Sequence, residues 1–148
     1  MPEIRSAEQR KADALHRFEK DIDLWVASAD ANAAPTLVPL SFSWDGEGFL
    51  VATARSNPTA RNIVEHGTVR VMLGHSRDVV LIAATAHHVS GSELRDSWHA
   101  KYVKKQGWDP REMEKYEFYR LVPRTVETWR QLNEHADRFI MRDGKWLI

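Results

Sequence analysis

The sequence predicts a mainly β fold, a barrel or sandwich with helices packed outside it. Three observations carry this reading. Six or seven short strand candidates follow one another at close spacing. The helical stretches interrupt them without regular alternation, which argues against a doubly wound parallel sheet. Two Asp-Gly pairs, Asp45-Gly46 and Asp143-Gly144, each stand between strand candidates, a strong hairpin signal because a type I′ turn needs positive φ at both central residues.

Taken in order, the elements begin with a helix. Ser6-Ala7-Glu8-Gln9 has capping-box spacing, and Leu15, Phe18 and Ile22 recur at three and four residues as one apolar stripe. Residues 1–22 therefore read as an N-terminal helical segment. Leu24 to Ala29 is a short strand, closed by Asp30-Ala31-Asn32. Thr36 to Trp44 is a second strand, and Phe49 to Thr53 returns from the Asp45-Gly46 turn. Asn57 or Ser56 caps a short helix with Pro58 in its first turn. Ile63 and Val64 supply its buried side, and Gly67 ends it in the left-handed conformation. Strands follow over Val69 to Leu73 and Val79 to Val89. A helix starts at Ser92, with Leu94, Trp98 and Tyr102 at helical spacing and an end near Gly107. Asp109-Pro110-Arg111-Glu112 has the order of a one-turn helix, so residues 92–113 form a helical insertion. Tyr116 to Trp129 is one long strand. Arg138 to Met141 and Lys145 to Ile148 flank the second Asp-Gly turn.

Composition sets the function classes. At 148 residues and 43% hydrophobic content, the chain reads as one domain over 1–148. About 70% of the unfolded surface is buried in a domain of this size. Lys+Arg and Asp+Glu balance at 21 each, so a nucleic-acid partner is not expected. The longest apolar run, Val79 to Ala84, is strand length, and no membrane span is expected. Cysteine is absent, which removes disulfides, thiolate nucleophiles and Cys-ligated metals. Met1-Pro2-Glu3-Ile4-Arg5 carries no apolar leader, so the expected location is cytoplasmic.

One segment concentrates polar chemistry. Thr53-Ala54-Arg55-Ser56-Asn57-Pro58-Thr59-Ala60-Arg61-Asn62 leaves a strand and enters a helix. A helix start offers unpaired N–H groups and partial positive charge, which suits a phosphate. Three hydroxyls (Thr53, Ser56, Thr59) and two guanidiniums (Arg55, Arg61) crowd the same turn. Plain helix capping with surface arginines accounts for the same residues. His87 and His88 point to opposite faces of a strand and cannot chelate as neighbours, so no metal site is expected. Trp25, Trp44 and Trp98 read as core, Trp129 as a strand-end packing residue, and Arg77-Asp78 as a surface pair. No Gly-x-Ser-x-Gly elbow accompanies Ser41, Ser43, Ser76 or His75, and no catalytic residue is singled out.

The ordered set of features is more specific than any one of them. It comprises Leu37-Val38-Pro39-Leu40-Ser41-Phe42, the Trp-Asp-Gly hairpin, Ala52-Thr53, the Arg55 to Asn62 helix start, Val69 to Leu73, Arg77-Asp78-Val79-Val80 and the late Arg-x-Ile-Met-Arg-Asp-Gly-x-Trp hairpin. This order resembles the pyridoxamine 5′-phosphate oxidase-like FMN-binding split-barrel family from about Asp23 to the C-terminus. The resemblance implies a six-stranded antiparallel split β-barrel with peripheral helices, and a homodimer with cofactor sites at the subunit interface. It implies FMN as cofactor, with the ring along Val38, Pro39, Leu40 and Ser41 and the phosphate at Thr53, Arg55, Ser56, Asn57, Thr59 and Arg61. It further implies Trp129 and Arg138 as contributions from the partner subunit. Family members commonly carry a lysine where Thr59 stands, so the charged phosphate partners here are Arg55 and Arg61, and the deazaflavin F420 is the alternative cofactor. True pyridoxamine-phosphate oxidases look longer and end in an Arg-Leu-x-Pro segment. This chain ends Gly144-Lys145-Trp146-Leu147-Ile148 and is expected to act on another small molecule. The expected activity is a flavin- or F420-dependent oxidoreductase. The alternatives are a non-catalytic flavin- or haem-binding dimeric module, or a dimeric structural protein with an empty site.

Overall fold

The computed structural model describes residues 2–148. Its elements are α1 (Ala7–Lys20), β1 (Asp23–Ala29), β2 (Pro35–Trp44), β3 (Phe49–Ala54), α2 (Pro58–His66), β4 (Thr68–His75), β5 (Asp78–Val89), α3 (Asp96–Gln106), β6 (Tyr116–Trp129), β7 (Phe139–Arg142) and β8 (Lys145–Trp146). Short 3₁₀ turns cover Pro110–Glu112 and Leu132–Glu134. The strands run β3-β2-β1-β4-β5-β6-β7-β8, all antiparallel, and β3 also pairs with β6. That extra pairing closes six strands into a barrel of the split-barrel type and leaves β7 and β8 as an appendage on the far end of β6.

Closure works because β6 is fourteen residues long. Its first half pairs with β3, from Tyr116 opposite Ala54 to Leu121 opposite Phe49. Residues Phe118 to Trp129 pair with β5, and Val126 and Glu127 with β7. A bulge places Arg124 between the pairs Ala84–Pro123 and Ala83–Thr125, bending the strand where the barrel must curve.

Two helices fill the two mouths. At one, α1 lays Phe18 against Trp44 and Phe49, each with ring centroids 4.8 Å away. At the other, α2 buries Ala60 and Ile63, and Asn62 donates to the Ser28 hydroxyl at the end of β1 (3.0 Å). Strand β3 is buried on both faces. Phe49 and Val51 face the barrel interior, and Leu50 and Ala52 face a second cluster under α3 with Tyr102 and Phe118. Gly67 ends α2 at φ +69°, the left-handed conformation that costs other residues strain. No helix among the described residues is long and apolar enough to cross a membrane.

Several local expectations change. Ser6 accepts from the Gln9 amide (3.1 Å), but the Gln9 side chain turns to Asp13 (2.8 Å), so the capping box is half formed. Helix α1 ends at Lys20, and Ile22 lies beyond it, exposed; the inward row is Arg10, Ala14 and Phe18. Trp25 and Val64 are 48% and 68% exposed instead of core, because each sits on the outer face of its element. The helix expected from Ser92 starts at Asp96, since Ser90 and Glu93 hydrogen-bond into a preceding turn (2.7 Å). Asp45-Gly46 forms a hairpin of another type: only Gly46 has positive φ, and Asp45 Oδ1 accepts from the Glu47 and Gly48 amides. Asp143 and Gly144 (φ +52° and +74°) do form the two-residue turn between paired Arg142 and Lys145.

Arg77-Asp78 is not a pair. Asp78 takes Arg17 (2.9 Å) and Arg130 (3.3 Å) as part of a network that seals the α1 mouth. Its centre is Glu134, buried, which accepts from the Arg5 amide and guanidinium (2.8–3.0 Å) and from the Arg130 amide (2.8 Å). Hydrogen bonds from Arg5 pull the Glu134 carboxyl down to about 2. The folded value lies below the unfolded one near 4.5, so this stabilisation is complete above pH 4.5 and is lost as the pH falls toward 2. Glu134→Gln is expected to cost about 3 kcal/mol at pH 7 in urea unfolding and to remove that part of the acid-induced loss.

Lys105 on α3 behaves oppositely. Its Nζ is buried without a hydrogen-bond partner and lies 3.7 Å from the Phe42 ring centroid. Burial brings its pKa down to about 8. Below pH 8 the folded chain carries a poorly hydrated ammonium. The cost fades from about 8 toward 10.5, where the unfolded state holds the extra proton. Lys105→Met is expected to raise the thermal midpoint at pH 7 by about 2–4 °C, with the gap narrowing above pH 8. An equal or lower midpoint would mean that the contact with Phe42 outweighs the burial.

Candidate functional site

The α2 mouth carries the polar segment singled out in the sequence. Arg55 follows β3 directly, its amide held by the Lys115 carbonyl (3.0 Å). Asn57 is the N-cap of α2, but its side chain gives the helix no cap; Nδ2 donates instead to Thr53 Oγ1 (2.9 Å). Pro58 has no N–H, and the first intrahelical bond runs from Arg61 N to the Asn57 carbonyl (3.1 Å). The Thr59 and Ala60 amides therefore open the helix with neither an intrahelical acceptor nor a side-chain cap.

A cleft of about 490 Å³ lies beside this helix start. Helix α2 supplies Ala60, Arg61, Val64 and Glu65 to one wall, and the barrel supplies His88, Glu117 and Tyr119 to the other, with Arg55 at the entrance. Both arginines are exposed, and neither forms an ion pair among the described residues; Arg55 makes one long contact to the Glu114 carbonyl (3.5 Å). Two exposed guanidiniums on the cleft lining, beside uncapped helix amides, are the groups that a phosphate or carboxylate would pair with.

The opposite wall holds a pair that sequence reasoning missed. His88 Nε2 lies 3.2 Å from Glu117 Oε2, and the His88 ring meets Tyr119 edge-on at 5.6 Å. The two residues are 29 positions apart and come together only through the β5–β6 register, which sets His88 opposite Tyr119. The one available signal was alternation: with His87 outward, His88 must share the face of Ala86 and the barrel interior. Among the described residues no group of three or more His, Asp or Glu side chains is placed to hold a metal ion.

The remaining candidates are spread more widely. Thr53 is buried and engaged with Asn57, and Ser56 and Asn57 are exposed at the turn. Thr59 is 1% exposed, its hydroxyl points into the protein without a partner, and it is not part of the cleft wall. On β2, Val38 and Leu40 are half-buried, Pro39 faces outward opposite Trp25, and Ser41 donates to Asp23 (3.0 Å). Trp129 and Arg138 lie at the opposite end of the barrel. Glu117 and Trp129 are separated by about 40 Å of extended strand. Trp129 packs edge-on to His135 (5.3 Å), and Arg138 is bonded to Glu127 (2.7 Å). A single chain therefore brings together Arg55, Asn57 and Arg61, but not Trp129 or Arg138.

The model of the family described as pyridoxamine 5′-phosphate oxidase matches residues 13–130. No curated protein sequence matches the chain. Among solved structures, a putative pyridoxamine 5′-phosphate oxidase from Listeria innocua superposes with a TM-score of 0.65 at 14% identity, covering 82% of this chain and 98% of that one. HutZ, the haem storage protein from Vibrio cholerae, gives 0.62 at 18% identity, with 76% and 89% covered. An F420 reductase gives 0.62 at 14% identity, with 78% and 95% covered. At these identities the likenesses speak to the fold.

Proposed function

The chain belongs to the pyridoxamine 5′-phosphate oxidase family, and we propose that it is a flavin-dependent oxidoreductase whose cofactor phosphate sits at the start of α2. The observation that carries this is the uncapped helix start, where Asn57 turns away to Thr53 and Arg55 and Arg61 stand without carboxylate partners. The residues fit the group. Arg55, Arg61 and the Thr59 and Ala60 amides would hold the phosphate of FMN, or of F420 as the alternative. Ala60, Val64 and Tyr119 give the cleft an apolar side. With Thr59 turned inward, no side chain at that position replaces the lysine common in the family, so the arginines carry the charge. Bound flavin would accept and pass on a hydride or an electron pair.

We propose a homodimer for the same reason. Trp25 and Pro39 stand opposite each other on the outer face of β1 and β2, with Leu37 beside them at 64% exposure. An apolar patch of this kind marks an interaction surface. A second copy docked there would cover the β2 segment Val38 to Ser41, and it offers the route by which Trp129 and Arg138 would reach a site they cannot reach within one chain. A second reading, a haem-binding module, is favoured by one observation: His88 stands on the cleft wall opposite the two arginines. A cytoplasmic location and a small-molecule substrate other than pyridoxamine phosphate complete the proposal.

The experiment is the absorption spectrum of the purified protein, with the released chromophore identified by mass. A flavin or deazaflavin spectrum supports the reading, and a Soret band supports the haem module. Arg55→Ala combined with Arg61→Ala is expected to weaken FMN binding by about 100-fold, since each charge-assisted bond is worth roughly 1.5–3 kcal/mol. A wild-type protein that takes up no flavin, with a thermal midpoint unmoved by added FMN, would overturn the proposal.

A further inference from the structure

We propose that the α1 mouth holds a second ligand site, a pocket for a small carboxylic acid anchored by Arg10. This inference does not depend on the flavin reading: it rests on Arg10 and its surroundings at the α1 mouth, not on the α2 cleft.

Arg10 faces inward from the first turn of α1 and is 5% exposed. Arginine is rarely buried this far unless it is paired with an anion. Its neighbours follow that rule: Arg5 pairs with Glu134 and Asp13, and Arg17 with Asp21 and Asp78. Arg10 has no carboxylate partner among the described residues. Its one hydrogen bond runs from Nη1 to the backbone carbonyl of Asp137 (2.6 Å), and its Nε is buried with no acceptor. The nearby candidates are committed elsewhere. Glu134 is taken by Arg5 and the Arg130 amide, Asp137 is exposed and meets Arg10 through its carbonyl, and the Ile148 carbonyl oxygen is held by Lys11 (2.7 Å). The edge of the guanidinium formed by Nε and Nη2 is thus left without an acceptor.

Arg10 forms part of the wall of a cavity of about 360 Å³ between α1 and the β7–β8 hairpin. Arg142 brings a second positive charge to the rim, stacked 3.8 Å from the Phe139 ring centroid. Phe139, Ala136 and Leu147 give the cavity one apolar side, and Asp137 and Ile148 line the remainder. A carboxylate in the cavity would meet the unpaired Nη2 and, with a small turn of the side chain that brings the buried Nε to the cavity, bind both in parallel hydrogen bonds. The apolar wall accepts a short aliphatic or small aromatic group. A small monocarboxylic acid meets both requirements and supplies the counter-charge that the buried arginine lacks.

The test uses the full chain with butyrate as the probe at constant ionic strength. Thermal unfolding is expected to show a saturable rise in midpoint with butyrate, as binding to the folded state requires, and none with butylamine or with chloride. The ¹H–¹⁵N resonance of Arg10 Nε is expected to move with the same concentration dependence. Arg10→Met is expected to abolish the butyrate response while leaving the far-UV circular dichroism spectrum unchanged. Should Arg10→Met fail to fold, Arg142→Ala at the exposed rim decides together with the wild-type Nε signal, and it is expected to weaken the response severalfold. A midpoint and an Nε resonance that butyrate leaves unmoved overturn the site. A response matched by chloride, or exceeded by inorganic phosphate, overturns the assignment to carboxylic acids.

Discussion

The molecule depends on one strand serving two neighbours. β6 must pair with β3 through Leu121 and with β5 through Trp129, and the bulge at Arg124 lets it bend between the two tasks. Without the β3–β6 pairing, β3 would be an open edge and the interior cluster around Phe49, Val51 and Leu121 would face water. Closure removes that edge but creates two mouths. A barrel of six strands leaves its ends to be filled by something other than strands, and here α1 and α2 do so. The positions of both sites follow from this division of labour.

The mouths are finished by different physics. At the α1 end, Arg10 excepted, arginines and carboxylates are matched: Arg5, Arg17 and Arg130 meet Asp13, Asp78 and Glu134 at 2.8–4.0 Å. Removing one member of a buried pair costs about 3–5 kcal/mol, because the other is left uncompensated. The α2 end is finished by apolar plugging and neutral hydrogen bonds, Asn62 to Ser28 and Asn57 to Thr53. Its arginines are left exposed, where holding an unpaired charge costs little. The charge that stabilises the fold is mostly neutralised at the α1 end, Arg10 apart, whereas at the α2 end Arg55 and Arg61 stand exposed without ion pairs.

Much of this was legible in the sequence, and what was not has a common cause. Every strand was readable from alternation and turn residues, and β6 was placed at Tyr116 to Trp129, because strand pattern and hairpin chemistry are local. The cluster of Arg55, Asn57 and Arg61 was readable because a helix start is local too. The ion pairs of Asp78 were not: Arg17 and Arg130 reach it from elements 61 and 52 positions away, and only the barrel end brings them together. The His88–Glu117 pair depends on register, which single-sequence alternation leaves undetermined across strands. Trp25 was misread because an outward aromatic on a strand has the same local pattern as an inward one. Thr59 was placed correctly on the first turn of α2, but which way a residue faces in a first turn is decided by the packing of Ala60 and Ile63.

Exposure of Trp25 follows from how few helices the chain has. Three helices cover two mouths and one outer face. Helix α3 and the segment after it cover the outside of β3 and β6 with Tyr102, Trp98 and Trp108, and Gln106 reaches the Phe42 carbonyl of β2, but among the described residues the outer face of β1 and β2 around Trp25, Leu37 and Pro39 stays exposed. Trp25, Leu37 and Pro39 lie along it, with Asp23 already engaged by Ser41. A strand pair that keeps an apolar outer row gains nothing from it as a monomer, since exposed apolar area of this kind favours association. The proposed dimer resolves this with the same surface that the cofactor ring would need to have covered. Burying Trp25 and shielding a flavin from water are therefore one requirement placed on a single partner surface.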